Sequence, residues 1–304
     1  MRLSLNMKFL LILMAANLSI FTTSANAGEG LFSRAYTTET EPADHFELEQ
    51  LVRNRRDRAY GSYSAFDLST EVEYGFTDAF QGAFYINTGH IAAKNSPDDD
   101  DPAGSTGGFS RNSWFMTGIA AEFIYRFLSP ITDPIGLAIY FEPTYNWHDF
   151  HDGLSYDKQF EWEYRILLQK NFFDDQLILV YNIVAEVEFN RFAGETDYAG
   201  ELDFNNEVGA TYRFASNWYG GLEFRNHNEI GNFSIHEHSV VWAGPALHYA
   251  GQSFWATAGV LYQVWGGGVD INNGVDENGN FVGDHTFLRS HERWEITGKV
   301  GFPF

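Results

Sequence analysis

Apolar and polar residues alternate along most of this chain with a period of two. From Gln176 to Asn190 one face of an extended backbone carries Leu177, Leu179, Tyr181, Ile183, Ala185, Val187 and Phe189, and the other carries Gln176, Asn182, Glu186, Glu188 and Asn190. Successive side chains of a strand point to opposite faces, so this register is that of a β-strand and fits no helical period. Phe160, Trp162, Tyr164, Ile166 and Leu168 alternate with Glu161, Glu163, Arg165, Leu167 and Gln169 in the same way. So do Leu202, Phe204, Val208, Ala210, Tyr212 and Phe214 with Asp203, Asn205, Glu207, Thr211 and Arg213. Residues 115–127 and 294–304 behave similarly, whereas 238–249 is partly apolar on both faces. The pattern predicts twelve strands, at 45–53, 62–75, 80–91, 113–127, 136–148, 158–170, 176–190, 201–214, 218–228, 237–249, 253–265 and 289–304.

The connections fall into two classes that alternate along the chain. Residues 76–79, 129–134, 171–175, 215–217 and 250–252 are short and rich in the Asp, Asn, Pro and Gly that close turns; 54–61, 92–112, 149–157, 191–200, 229–235 and 266–288 read as longer loops. Most predicted strands exceed the roughly 9–11 residues a tilted strand needs to cross a bilayer. Lipid on one side of a wall and water on the other would require this alternation, and tight turns on one rim with longer loops on the other are the pattern of outer-membrane barrels. The fold class expected is therefore all-β, a transmembrane antiparallel up-and-down β-barrel of about twelve strands, with both chain ends on the periplasmic side. A soluble periplasmic sandwich or lipocalin-like barrel is the competing form, and it would bury the aromatic faces.

Composition narrows the function classes. Among 304 residues there is no cysteine, which removes disulfide scaffolds and thiol chemistry. Nineteen basic against 41 acidic groups give a formal charge of -22, which repels phosphate backbones, so no nucleic-acid partner is expected. Residues 1–27 differ from the rest: Arg2 and Lys8 precede or flank an apolar run from Phe9 to Met14, and Ala25-Asn26-Ala27 supplies small residues for cleavage. They read as a secretory signal peptide cut near Ala27, because a membrane anchor would want about 20 uninterrupted apolar residues. The domain reading is then a leader at 1–27, an N-terminal periplasmic extension at 28–44, and an outer-membrane barrel at 45–304. The extension could plug the barrel, pair with a strand or hang free.

Phe304 ends the chain and shares a face with Trp294, Ile296, Val300 and Phe302. In this the sequence resembles bacterial outer-membrane proteins, whose last strand commonly ends in Phe. The resemblance implies Phe304 as a signal to the barrel-assembly machinery, with Gly298, Gly301 and Pro303 departing from the usual final strand. The stretch Phe46-Glu47-Leu48-Glu49-Gln50, followed by Ser69-Thr70-Glu71-Val72-Glu73-Tyr74-Gly75-Phe76-Thr77-Asp78, resembles uncharacterised transporter-like barrels related to the phenol-degradation meta-pathway family. That resemblance implies envelope transport and names no substrate.

With the aromatic faces toward lipid, the lumen-lining residues would be Glu71, Glu73, Glu122, Glu142, Glu161, Glu163, Glu186, Glu188, Asp203, Glu207, Glu223 and Glu295, with Arg126, Arg165, Arg213, Arg225, Arg293 and Lys299 on the same side. The acidic excess would favour cations in a confined space. The function expected is passive passage of a small solute with cation preference. A salt-bridge network that fills a non-conducting barrel is the alternative, and a metal-binding surface barrel is a further one.

Histidines gather toward the predicted external ends. His236 and His238 flank Glu237 and would share one face of an extended chain, and His148 and His151 lie close together, so these four are the candidate metal ligands. No cofactor is expected. The acidic loops at Asp98–Asp101 and Asp270–Asp284 match no EF-hand and would at most bridge lipopolysaccharide through divalent ions. Ser234 beside His236 and His238 invites comparison with outer-membrane lipid hydrolases, but their His-x-Ser-Asn-Gly run is missing, and no enzymatic activity is expected. Outer-membrane lipid and lipopolysaccharide are the expected surroundings.

Overall fold

The computed structural model describes residues 29–97, 108–148, 156–192, 194–268 and 286–304. The leader, both acidic loops and His151 lie outside the described residues. The strands are β1 (Phe46–Arg56), β2 (Ser62–Thr77), β3 (Phe80–Ser96), β4 (Phe109–Leu128), β5 (Gly136–Asn146), β6 (Tyr156–Phe172), β7 (Leu177–Phe192), β8 (Ala199–Ala215), β9 (Trp218–Gly231), β10 (Ile235–Ala250), β11 (Trp255–Gly268) and β12 (Trp294–Pro303). Each pairs antiparallel with its neighbours in sequence, and β1 pairs with β12 to close the ring. At that seam Phe304 N–H donates to the Phe46 carbonyl at 2.8 Å, and Phe46 N–H returns a bond at 3.2 Å. Closure leaves the ring without an unpaired sheet edge, which a hydrocarbon surrounding requires.

The faces sort as the alternation predicts. On β6, Phe160, Trp162, Tyr164 and Ile166 are 40–47% exposed on the outside, while Glu163 and Leu167 between them are buried inside. The soluble alternative required the reverse and is discarded. Rings form a belt at each rim. Phe46 stacks on Phe304, Phe76 on Phe80 and Tyr125 against Phe127 at the short-turn end; His90 meets Trp114, Tyr145 meets Phe160 and Tyr262 meets Trp294 at the other. Two aromatic girdles around an apolar band are what a bilayer selects.

Two connections depart from expectation. Between β9 and β10 only Asn232, Phe233 and Ser234 intervene, with Asn232 and Phe233 at φ 51° and 56°. These strands continue past the apolar band through polar outer positions, where Asn226, Asn228 and Ser239 bond to one another. The last strand starts at Trp294, not 289, because residues 286–293 fold into the barrel mouth. There Gln263 holds Phe287 from both sides (Phe287 N–H to Oε1 at 2.6 Å, Nε2 to the Phe287 carbonyl at 3.2 Å), and Trp242 Nε1 donates to the Glu292 carbonyl.

Residues 29–44 lie inside the ring at its short-turn end. Leu31, Phe32 and Ala35 form an apolar cluster with Ile178, Val180 and Tyr219 of the wall. The segment has no strand partner, so wall side chains satisfy its backbone, as buried amides demand. Ser33 and Arg34 N–H donate to Glu223 at 2.7 and 2.8 Å, and Tyr36 exchanges two bonds with Asn182. Thr38 N–H donates to Gln169 and Glu41 N–H to Gln81. Two glycines make the room: a Cβ at Gly209 would stand 2.5 Å from the Phe32 ring, and one at Gly259 would stand 2.4 Å from Ser33 Cβ.

Candidate functional site

The charged interior has two storeys. Nearest the plug is a mixed network. Arg34 makes a bidentate pair with Glu295 (2.8 and 2.9 Å), Arg225 reaches the same carboxylate at 2.9 Å, and Arg165 bridges Glu207 (2.9 Å) and Glu163. Burial alone would weaken the charge on Arg34, but the Glu295 carboxylate outweighs it and pushes the guanidinium above its ordinary range. Tyr36 lies between cations, with Arg165 over its ring at 4.6 Å and Lys299 at 5.3 Å. On the opposite wall Glu71, Glu73 and Glu122 are buried; Gln81 donates to Glu73 and Glu122, and the Tyr85 hydroxyl also donates to Glu122.

Toward the long-loop end the wall turns acidic. Ladder pairing places Glu142 opposite Glu163, Glu163 opposite Glu186, Glu186 opposite Asp203 and Asp203 opposite Glu229, one inward carboxylate from each strand β5 to β9. Glu161, Glu188 and Glu201 form a second row above it. Like charges directly opposite are destabilising in a sheet, so these rows oppose stability and need neutral donors or a bound cation. Donors are present: Asn205 Nδ2 reaches Glu186 at 2.7 Å, Gln159 Nε2 reaches Glu188 at 2.8 Å and the Thr144 hydroxyl reaches Glu142 at 2.9 Å. Two expected lining residues sit elsewhere. Arg126 and Arg213 occupy the short-turn rim, where they donate to the Asp78 and Asp174 carbonyls.

The acidic row ends in a histidine cluster. His227, Glu229, His238 and His291 each offer a ligand atom, and these atoms all lie within 4.8 Å of one another. The rings of His227 and His238 are buried; Trp242 and Phe287 pack against the cluster. His291, on the segment before β12, is pushed well below the usual imidazole range by burial, with His238, His227, Arg225 and Arg58 adding to it. Sequence reasoning named His236 and His238 as a pair on one face, and the structure corrects this. A bulge between His236 and His238 breaks the alternation, leaving His236 exposed against Ser239 Oγ at 2.8 Å and turning His238 inward. His148 is exposed beside Phe115 and joins no such cluster among the described residues. His227 could have been found from its parity with Glu223, Arg225 and Glu229 on β9, whereas its meeting with His291 has no local signal. Ser234 Oγ donates to the Asn232 carbonyl and pairs with neither His236 nor His238.

Residues 24–304 match the model described as "Family of unknown function (DUF6662)", and the chain belongs to that family. No curated protein matches the sequence. Among solved structures the fold is similar to the COG4313 outer membrane channel from Pseudomonas putida F1, with a TM-score of 0.57, 8% identity, and 88% of this chain and 98% of that chain covered. The NanC porin matches with a TM-score of 0.49, 9% identity and coverages of 84% and 98%. LpxR from Salmonella typhimurium matches with a TM-score of 0.45, 8% identity and coverages of 84% and 99%. A closed barrel with an apolar exterior and this fold is an outer-membrane barrel protein. The expectation that it has no enzymatic activity is corrected: the interior assembles a partly buried cluster of three histidines and a carboxylate, so the architecture supplies no ground for that expectation.

Proposed function

We propose that this member of the DUF6662 family is a passive channel of the outer membrane for a small solute, with a preference for cations and with residues 29–44 as the stopper of its short-turn end. The observation that carries the reading is the row Glu142, Glu163, Glu186, Asp203 and Glu229, five facing carboxylates on adjacent strands, of which Glu163 is paired with Arg165. Such a row lowers the energy of a cation and raises that of an anion near the wall. The COG4313 protein of the same fold is named a channel, and the likeness of the opening strands to phenol-pathway-related transporter-like barrels points the same way. Secretion with cleavage near Ala27, insertion through the assembly machinery by way of Phe304, and contact with lipopolysaccharide complete the proposal.

The test is planar-bilayer recording on the unaltered barrel and on a variant lacking residues 29–44. The expected result is a larger current without the stopper and a reversal potential that reports cation preference. Glu186→Gln with Asp203→Asn should shift that potential toward zero. Anion preference, or silence from both proteins, refutes the proposal. Silence from both would favour the filled, non-conducting barrel, for which the Arg34–Glu295–Arg225 network is the supporting observation.

A further inference from the structure

We propose that His227, Glu229, His238 and His291 form a binding site for one divalent transition metal of the zinc class, which fastens the segment before β12 to the barrel wall. The inference stands whether or not the lumen conducts.

Three features converge on it. The first is the donor set: three imidazoles and one carboxylate suit zinc and its neighbours, while calcium and magnesium take oxygen donors. The second is His227. Asn205 Nδ2 is committed to Glu186 Oε1 at 2.7 Å, which turns Asn205 Oδ1 toward His227 Nδ1 at 2.8 Å. That contact requires the proton on Nδ1 and leaves a lone pair on Nε2, the arrangement of a metal-ligating histidine held by its second partner. Nε2 itself is buried and has no hydrogen-bond partner. The third is spacing. Tetrahedral bonds of about 2.0–2.1 Å set donor atoms roughly 3.3 Å apart. His238 Nε2 stands 3.3 Å from Glu229 Oε2, and His227 Nε2 stands 4.0 Å from the same oxygen. His238 and His291 meet Nε2 to Nε2 at 2.5 Å, closer than two ligands of one ion, so their rings must part by under an ångström to admit it.

The ligands come from three places: His227 and Glu229 from β9, His238 from β10 just past its bulge, and His291 from the segment that descends into the mouth. A bound ion therefore joins two wall strands to residues 286–293. It also offsets the charge of Glu229, the terminal carboxylate of the acidic row.

The test uses full-length mature barrel without a histidine tag, stripped with chelator and then loaded with cobalt(II). The expected result is one cobalt per barrel with the intense visible absorption of four-coordinate cobalt, bleached by one equivalent of zinc. Zinc affinity, measured against a chromophoric chelator, should fall more than about 100-fold in His227→Ala and in His291→Ala. Asn205→Ala should cost about 10- to 100-fold, as loss of an outer-shell partner does. His236→Ala should leave affinity unchanged. Heat-modifiable gel migration confirms that each variant is folded, and the cobalt spectrum of the unaltered barrel needs no variant. No stoichiometric cobalt, a six-coordinate spectrum, or zinc binding that survives both His227→Ala and His291→Ala overturns the proposal.

Discussion

Replacing Phe32 by alanine should release the luminal segment. Its ring is wholly buried against Gly209 and within the cluster of Leu31, Ala35, Ile178, Val180 and Tyr219. The wall at Gly209 has no side chain to move into the space left behind, so the cavity persists. Buried Phe→Ala changes cost about 3–5 kcal/mol, which raises the undocked population roughly 150- to 5,000-fold. Arg34, two residues on, is a trypsin site held by Glu295 and Glu223 while the segment is docked. When opening is fast relative to cleavage, the cutting rate follows the undocked population, so cleavage after Arg34 should accelerate by that factor. Thr40→Ala serves as a control: it removes an exposed bond to the Asp78 carbonyl and should alter the rate by about twofold at most. If Phe32→Ala is cut no faster than the unaltered barrel, the packing of Phe32 does not hold the segment and the reasoning fails.

Two further outcomes follow from the charged interior. Glu295→Leu strands Arg34 and Arg225 without their shared carboxylate, and a broken buried pair costs about 3–5 kcal/mol; the denaturant midpoint should fall accordingly, and an unchanged midpoint would show the network to be dispensable. Burial pushes Glu39 of the docked segment up to about 7, against 4.5 for the free carboxyl, with Arg126 opposing. The docked form keeps a proton that the free form releases between those values, so docking is strongest below pH 4.5, weakens as pH rises to about 7 and is flat above. A fluorophore near Thr40 should report this drift, and Glu39→Gln should reduce it to the part that Glu41, also raised by burial, contributes.

Most of the barrel was legible because alternation is a local signal that lipid imposes on every strand. Phe160, Trp162 and Tyr164 announce an outer face without knowledge of any partner. The inward carboxylates followed by parity alone. What escaped the sequence is what depends on distant meetings or a broken register. Residues 29–44 carry no period, and their anchors are distant in sequence, from Gln81 for Glu41, 40 positions away, to Glu223 for Ser33, 190 positions away. His236 and His238 were read as neighbours on one face because a bulge is invisible to counting by twos. The start of β12, expected at 289, lies at Trp294, because residues 286–293 are held in the mouth by distant partners such as Gln263 and Trp242.

The seam between the first and last strands leaves the ring no edge to which an inner cord could add as a further stave. The cord is therefore tied by side chains, from four separate staves: Gln81, Gln169, Asn182 and Glu223. It spans the bore like a spoke, and a stave pressed outward pulls on the same amides that hold the cord in place.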